Sequence, residues 1–231
     1  MVLAGFPAAW SSFDVDVSIE DGGALHPFPC GPVTLYALAD ADSAIDAGAL
    51  LRERVIADPP YWALVWTGAR AIAAVAANME FPPGLRVLDL GCGLGFAGIA
   101  AARCGAAVTF GDYLDAPMEF VRATIARLAL SRCDARLIDF TSAADDGSRF
   151  DLILAADIVY DPAHYGPLAE YLDLHLAPGG SILLTESLRA DASVFVDGLK
   201  ARGFSDEKCA LWVMEDGRRE RTWLHGLKRT A

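Results

Sequence analysis

The chain has 231 residues, of which 54% are apolar, and a net charge of −12 at neutral pH. This length fits one α/β core and is too short for two typical domains with a linker. The acidic balance argues against a nucleic-acid partner, because phosphate binding draws on Lys and Arg. No apolar run reaches the roughly 18 residues that span a bilayer, and no basic segment precedes an apolar one near Met1, so neither a membrane partner nor export is expected.

In chain order, Val15 to Ile19 and Val33 to Leu38 have strand character around turns at Gly22-Gly23 and Pro27-Phe28-Pro29, which predicts an N-terminal β-hairpin. Asp42 to Arg54 predicts a short helix. Residues 1–57 thus read as an extension or lid on a core of residues 58–231. Asp58-Pro59-Pro60-Tyr61-Trp62 leads into an Ala-rich helix, with Trp62 and Trp66 four apart on one face. After the punctuation of Phe81-Pro82-Pro83-Gly84, Leu85 to Leu90 reads as a buried strand and Phe96 to Cys104 as a helix closed by Gly105. Ala106 to Gly111 is a second strand ending at Asp112, followed by a helix over 117–130. Ala135 to Ile138 and Phe150 to Ala155 are the next strands, the latter leading to a helix over about 163–176. Pro178-Gly179-Gly180 predicts a turn into a fifth strand, Ser181 to Thr185, and a helix follows over about 191–202. Lys208 to Met214 and Arg221 to Leu227, joined at Asp216-Gly217, read as a β-hairpin. Strand–helix alternation with continuous apolar strands predicts an α/β, doubly wound, mostly parallel sheet with the hairpin as an antiparallel edge.

Five cysteines, Cys30, Cys92, Cys104, Cys133 and Cys209, contain no Cys-x-x-Cys pair and read as reduced thiols of a cytoplasmic protein. The four histidines, His26, His164, His175 and His225, are as scattered, and no metal site is expected.

Ligands of such sheets bind at the carboxyl ends of the strands, and the informative end is Val87 to Ile99, Val-Leu-Asp-Leu-Gly-Cys-Gly-Leu-Gly-Phe-Ala-Gly-Ile. Gly91, Gly93 and Gly95 let the backbone turn sharply and approach a ligand. Gly93-x-Gly95-x-x-Gly98 formally satisfies a dinucleotide fingerprint, and a Gly-rich turn without a ligand is the plain alternative. Asp89 separates the readings. A pyrophosphate at a helix N-terminus needs positive potential, which a carboxylate ending the strand opposes. S-adenosylmethionine carries a sulfonium and an ammonium and no phosphate, so an Asp is useful beside it. Asp112, 23 residues beyond Asp89, suits the hydroxyls of an adenosine ribose, a role dinucleotide enzymes share. Tyr113 beside it is a candidate for packing on adenine.

On Asp89-x-Gly91-x-Gly93-x-Gly95 the chain resembles the class I (seven-strand) S-adenosylmethionine-dependent methyltransferases. Pro60-Tyr61-Trp62-Ala63-x-x-Trp66 and Asp157-x-x-Tyr160 are similar to elements of the methyltransferase-like group of protein lysine methyltransferases, such as the enzyme acting on the electron transfer flavoprotein β subunit. The resemblance implies a Rossmann-like seven-stranded sheet and S-adenosylmethionine as cofactor, released as S-adenosylhomocysteine. It implies Trp66 against the cofactor, Asp139 and Phe140 at adenine, and Asp157 and Tyr160 at the reacting methyl. Read from the residues alone, Asp139 and Phe140 fit a solvated loop beside a core ring equally well, and Asp157 fits a cap of the following helix. Thr67-Gly68-Ala69 departs from the Pro-Gly-Gly or Pro-Ser-Gly of those relatives. The implied activity is N-methylation of a protein lysine. The alternatives are a small-molecule amine of nicotinamide type and a non-catalytic cofactor-binding scaffold. Oligomeric state is not legible.

Overall fold

A computed structural model describes residues 8–19, 25, 31–39, 60–142, 145–186, 192–215 and 217–230. Its strands are β1 (Ala8–Phe13), β2 (Val17–Ile19), β3 (Val33–Leu38), β4 (Arg86–Leu90), β5 (Ala107–Asp112), β6 (Cys133–Leu137), β7 (Phe150–Ala156), β8 (Leu176–Thr185), β9 (Phe204–Glu215) and β10 (Arg218–Arg229). The helices are α1 (Thr67–Ala77), α2 (Phe96–Arg103), α3 (Asp115–Leu128), α4 (Tyr165–His175) and α5 (Ser193–Ala201), with short 3-10 turns at Tyr61–Ala63 and Pro162–His164.

Period-two alternation sorts the central strands into two faces. Val87, Val108, Phe110, Leu152 and Leu154 point to one side, where they pack with Ile72 of α1, Ile99 of α2 and Val121 of α3. Leu88, Leu90 and Ile153 point to the other, against Leu168 and Leu172 of α4 and Phe195 and Leu199 of α5. Each fully buried side chain of this size contributes about 1.5–3 kcal/mol relative to exposure, so a sheet covered on both faces is the state this pattern stabilises.

The main sheet has the order β2-β9-β10-β8-β7-β4-β5-β6, with β4 parallel to β5 and β7 and with β10 antiparallel to its neighbours. The mixed α/β, mostly parallel architecture with an antiparallel hairpin is therefore as expected, with one strand more than seven. Val17–Ile19 does not pair with Val33–Leu38; it extends the sheet edge beside Leu211–Val213 of β9. Val33–Leu38 pairs instead with Ala8–Phe13 in a separate two-stranded sheet. The predicted helix over 42–54 and both N-terminal turns lie outside the described residues. Pro178-Gly179-Gly180 does not precede the fifth strand but forms an irregularity within it: Phe150 pairs with Leu176, and the register resumes at Leu152 with Ser181. The terminal hairpin is longer than predicted, pairing from Arg218–Glu215 to Arg229–Phe204. Among the described residues no helix is long and apolar enough to cross a membrane.

Strand order reverses beside β4, whose neighbours β5 and β7 belong to opposite wings of the sheet. The crevice outside the carboxyl ends of β4 and β7 is where such sheets place a ligand.

Candidate active site

Asp89 shares a face with Val87, and Asp112 shares it with Phe110, because each lies two residues further along its strand. That face is the one covered by α2, so both carboxylates end beneath the glycine loop. Gly91, Gly93 and Gly95 all have left-handed backbones, with φ of 62°, 51° and 78°. At Gly95, which opens α2, a Cβ would also come within 3.0–3.2 Å of Phe110 and Val121. The Asp89 carboxylate accepts the Gly98 N–H of α2 at 2.8 Å, and Asp112 accepts the N–H groups of Gly93 and Leu114 at 3.0 and 3.2 Å. The two side chains hold the loop from both sides.

Their charge is costly in this position. Burial pushes the Asp89 carboxyl up to about 7, against the opposing Gly98 hydrogen bond and with further repulsion from Asp112. Burial raises Asp112 as well.

Asp157 follows β7 in a left-handed conformation, φ 55°, one of two described non-glycine residues with positive φ. It is 7% exposed. Its carboxylate accepts the Gly68 N–H at 2.8 Å, and its own N–H donates to the Thr185 hydroxyl at 3.2 Å. Asp157 thus serves the first turn of α1, a helix far earlier in the chain, where partial positive charge gathers. The cap of the turn that follows it belongs to Asp161, which accepts the Ala163 N–H at 2.9 Å.

The segment before α1 is a strap, not a helix. Tyr61–Ala63 is a 3-10 turn and Trp66 is extended, at φ −79° and ψ 155°, so Trp62 and Trp66 do not share a helical face. The Trp66 indole N–H donates to the Tyr61 carbonyl at 2.8 Å. Trp62 packs on Phe120 of α3, with ring centroids 5.5 Å apart. The strap closes one side of a cleft whose floor is formed by the glycine loop and Asp157.

Asp89, Gly91, Gly93, Asp112, Tyr113, Asp157, Tyr160 and Trp66 all line that cleft, and among the described residues no Lys, Arg or His lines it. Asp139 and Phe140 are not brought into it. The exposed Asp139 accepts from Thr141 and Ser142 in a local turn and borders a neighbouring depression that shares only Tyr113 with the cleft. Phe140 packs edge-on to His164, at the margin of the core. Gly68, Thr185 and Tyr61 were read from the sequence only as motif or strand residues and given no role in the site. The available signal was Gly68 at the start of α1, which keeps the middle Gly of the relatives' Pro-Gly-Gly while Thr67 and Ala69 depart from it. Away from the cleft, Asp145, Asp146 and His175 come together although sequence reading expected no such cluster. Asp145 there is paired with Arg149.

A family model described as lysine methyltransferase matches residues 65–202. Among curated proteins, a protein N-lysine methyltransferase of Xenopus tropicalis is 37% identical over 105 residues, which cover 44% of this chain and 48% of that protein. The electron transfer flavoprotein β subunit lysine methyltransferase of Danio rerio is 35% identical over 114 residues, 49% of this chain and 44% of that protein. The chain thus spans about half the length of the curated relatives it matches. Among solved structures, a TehB-like S-adenosylmethionine-dependent methyltransferase from Corynebacterium glutamicum superposes with a TM-score of 0.55 at 18% identity, covering 72% of this chain and 89% of that one, which shows the fold. With more than half of its residues matched by the family model, the chain belongs to the lysine methyltransferase family.

Proposed function

We propose that this protein is an S-adenosylmethionine-dependent N-methyltransferase whose acceptor is a lysine side chain of another protein. The observation that carries this reading is the charge of the cleft: among the described residues, Asp89, Asp112 and Asp157 line it and no Lys, Arg or His does. Such a site disfavours a phosphate-bearing ligand and suits one that is cationic. Names of the curated relatives support lysine as the acceptor.

S-adenosylmethionine supplies, when bound, an electrophilic methyl group on a sulfonium sulfur. The residues that would hold it are the backbone of Gly91, Gly93 and Gly95, Asp89 toward cationic groups, Asp112 toward ribose hydroxyls, and Tyr113 and Trp66 as apolar walls. Asp157 and Tyr160 serve the acceptor. A free lysine amine titrates near 10.4, so about one in a thousand is neutral at physiological pH, and only the neutral amine has a lone pair to direct at the methyl carbon. Tyr61, Trp66, Tyr160 and Ile158 give that amine an apolar surround that disfavours its charged form. The Asp157 carboxylate accepts an amine N–H, aligns the lone pair, and offsets the positive charge left on nitrogen. The hydrogen bond from Gly68 and the backbone anchor at Thr185 fix its position for that task. The displaced proton goes to solvent.

Cys92, Cys104, Cys133 and Cys209 are free thiols, which supports a reducing, cytoplasmic setting. The decisive test is incubation of the purified protein with labelled S-adenosylmethionine and cell lysate, read by mass spectrometry. Methyl-lysine in a protein is the expected product. Label only in a small amine would transfer the assignment to a small-molecule acceptor, and cofactor binding without any transfer would leave a scaffold.

A further inference from the structure

The C-terminal hairpin reaches past the strand it pairs with. β10 pairs with β8 from Leu224–Thr185 to Lys228–Ser181, whereas its pairing with β9 continues to Arg218–Glu215. Residues 210–215 and 218–223 therefore overhang the carboxyl edge of β8, which runs parallel to β7 and ends on the side where the cleft opens. That overhang is fastened to the site: the Thr67 hydroxyl at the start of α1 donates to Glu215 at 3.3 Å, one residue before the Gly68 that holds Asp157. Directly opposed pairs place Arg219 with Met214, Arg221 with Trp212, and Trp223 with Ala210 on one face, and Lys208 of β9 lies two residues further along it. There the Arg219 guanidinium lies over the Trp212 ring at 4.3 Å, and Arg221 and Lys208 lie over the Trp223 ring at 4.3 and 4.5 Å. Arg219 and Met214 are exposed and both indoles are half-buried. Lys208 also pairs with Glu186 at 2.5 Å, while Arg219 has no carboxylate partner among the described residues.

Three cations gathered on one face are an exception in a chain of net charge −12. Stacking on an indole holds a guanidinium in place while its N–H edge stays available to a carboxylate, so little freedom is lost when the pair forms. A single strand of nucleic acid uses free ring faces for stacking, whereas here the indoles carry cations, and the acidic balance of the whole chain opposes a polyphosphate. We propose that this face of the hairpin is a docking surface for an acidic segment of the acceptor protein, with Arg219 on its Trp212 platform as the principal contact. The inference rests on the methyltransferase reading and adds to it the class of acceptor: a protein that presents a run of Asp and Glu beside its target lysine.

The probe is fluorescein-labelled octaglutamate, compared by anisotropy with octaglutamine and with a thymidine octanucleotide on the full chain. Octaglutamate is expected to bind at least about tenfold more tightly than octaglutamine and to weaken as salt rises. Arg219→Glu is expected to weaken octaglutamate at least about fivefold and Arg219→Gln about twofold, with S-adenosylhomocysteine affinity unchanged in both. Arg122→Glu makes the same change of net charge at an exposed position of α3, on the other side of the sheet, and is expected to leave octaglutamate binding within about twofold. In the lysate assay, unlabelled octaglutamate is expected to lower methyl transfer by the unaltered protein at least about fivefold and to leave transfer by Arg219→Glu within about twofold. Equal binding of octaglutamate and octaglutamine, an effect of Arg122→Glu as large as that of Arg219→Glu, tighter binding of the thymidine strand, or methyl transfer that octaglutamate leaves unchanged would each overturn the docking surface. No methyl transfer at all by the unaltered protein is a different result, which would remove the methyltransferase reading and the substrate role of this surface with it.

Discussion

The N–H of Gly68 and the carboxylate of Asp157 meet at 2.8 Å across 89 residues of sequence, fastening the start of α1 to the loop that follows β7. A Cβ on Gly68 would lie 2.4 Å from that carboxylate oxygen and 2.2 Å from the Thr185 hydroxyl.

Gly68→Ala is therefore expected to damage the site although Ala is the better helix former by about 1 kcal/mol. The overlap forces Asp157 or Thr185 to move, at a cost of about 1–3 kcal/mol. Thermal melting should show the lost stability, and kcat should fall at least about tenfold while cofactor affinity stays within about threefold. An unchanged kcat would mean that the position of Asp157 is irrelevant to turnover.

Asp157→Ala should abolish measurable methyl transfer with little change in S-adenosylhomocysteine affinity, because the role proposed for the carboxylate is toward the acceptor. It also leaves the Gly68 N–H without its partner, so a loss of about 1–2 kcal/mol in stability should accompany it. Calorimetry and a release assay on the same preparation separate the two effects; equal loss of binding and turnover would remove the assigned role.

Cofactor affinity is expected to depend on pH through Asp89. Its carboxyl titrates near about 7 in the folded chain and at 3.8 in the unfolded one. The native state therefore holds a proton that the unfolded state has lost between those values, and the Asp89 contribution to stability declines as pH rises through that window. The cationic ligand requires the ionised form, so its affinity should rise as pH passes about 7 and then level off. Asp89→Asn, which can still accept from Gly98, should bind weakly and without that pH dependence, and its melting temperature should lack the decline.

His225 joins three strands. Buried on β10, it lies 2.9 Å from Asp206 of β9 and 2.8 Å from Glu186 at the end of β8. Each ring nitrogen thus faces one of the two acids. His225→Leu would leave the two acids facing an apolar group, beside Lys208 and Lys200. A loss of about 3 kcal/mol in a urea melt is expected. Replacing His225, Asp206 and Glu186 together by apolar residues of similar volume should recover much of it, and a triple variant as unstable as the single one would contradict this account.

The β4–α2–β5 unit was legible because its signals are local: an apolar strand, three glycines whose spacing demands a turn, a helix, and a second strand ending in an acid. The shared face of Asp89 and Asp112 follows from the two-residue period. The strap was not legible. Trp62 and Trp66 have helical spacing, but the indole N–H of Trp66 takes the Tyr61 carbonyl, and the backbone between them is a short turn followed by extended chain. Asp139 stands at the right strand end, yet Thr141 and Ser142 satisfy its carboxylate in a local turn outside the cleft.

Sequence by itself determined the fold class, the position of the glycine loop and the acidic residues around it, since periodicity, turn chemistry and charge act over a few residues. The tertiary structure decided that Val17–Ile19 completes an eight-stranded sheet beside β9, that Asp157 is held by Gly68 and Thr185, and that Tyr61 stands between Trp66 and Tyr160. Those relationships join residues far apart along most of the chain, where no local rule operates and only the packing of helices on the two faces of the sheet selects which groups meet.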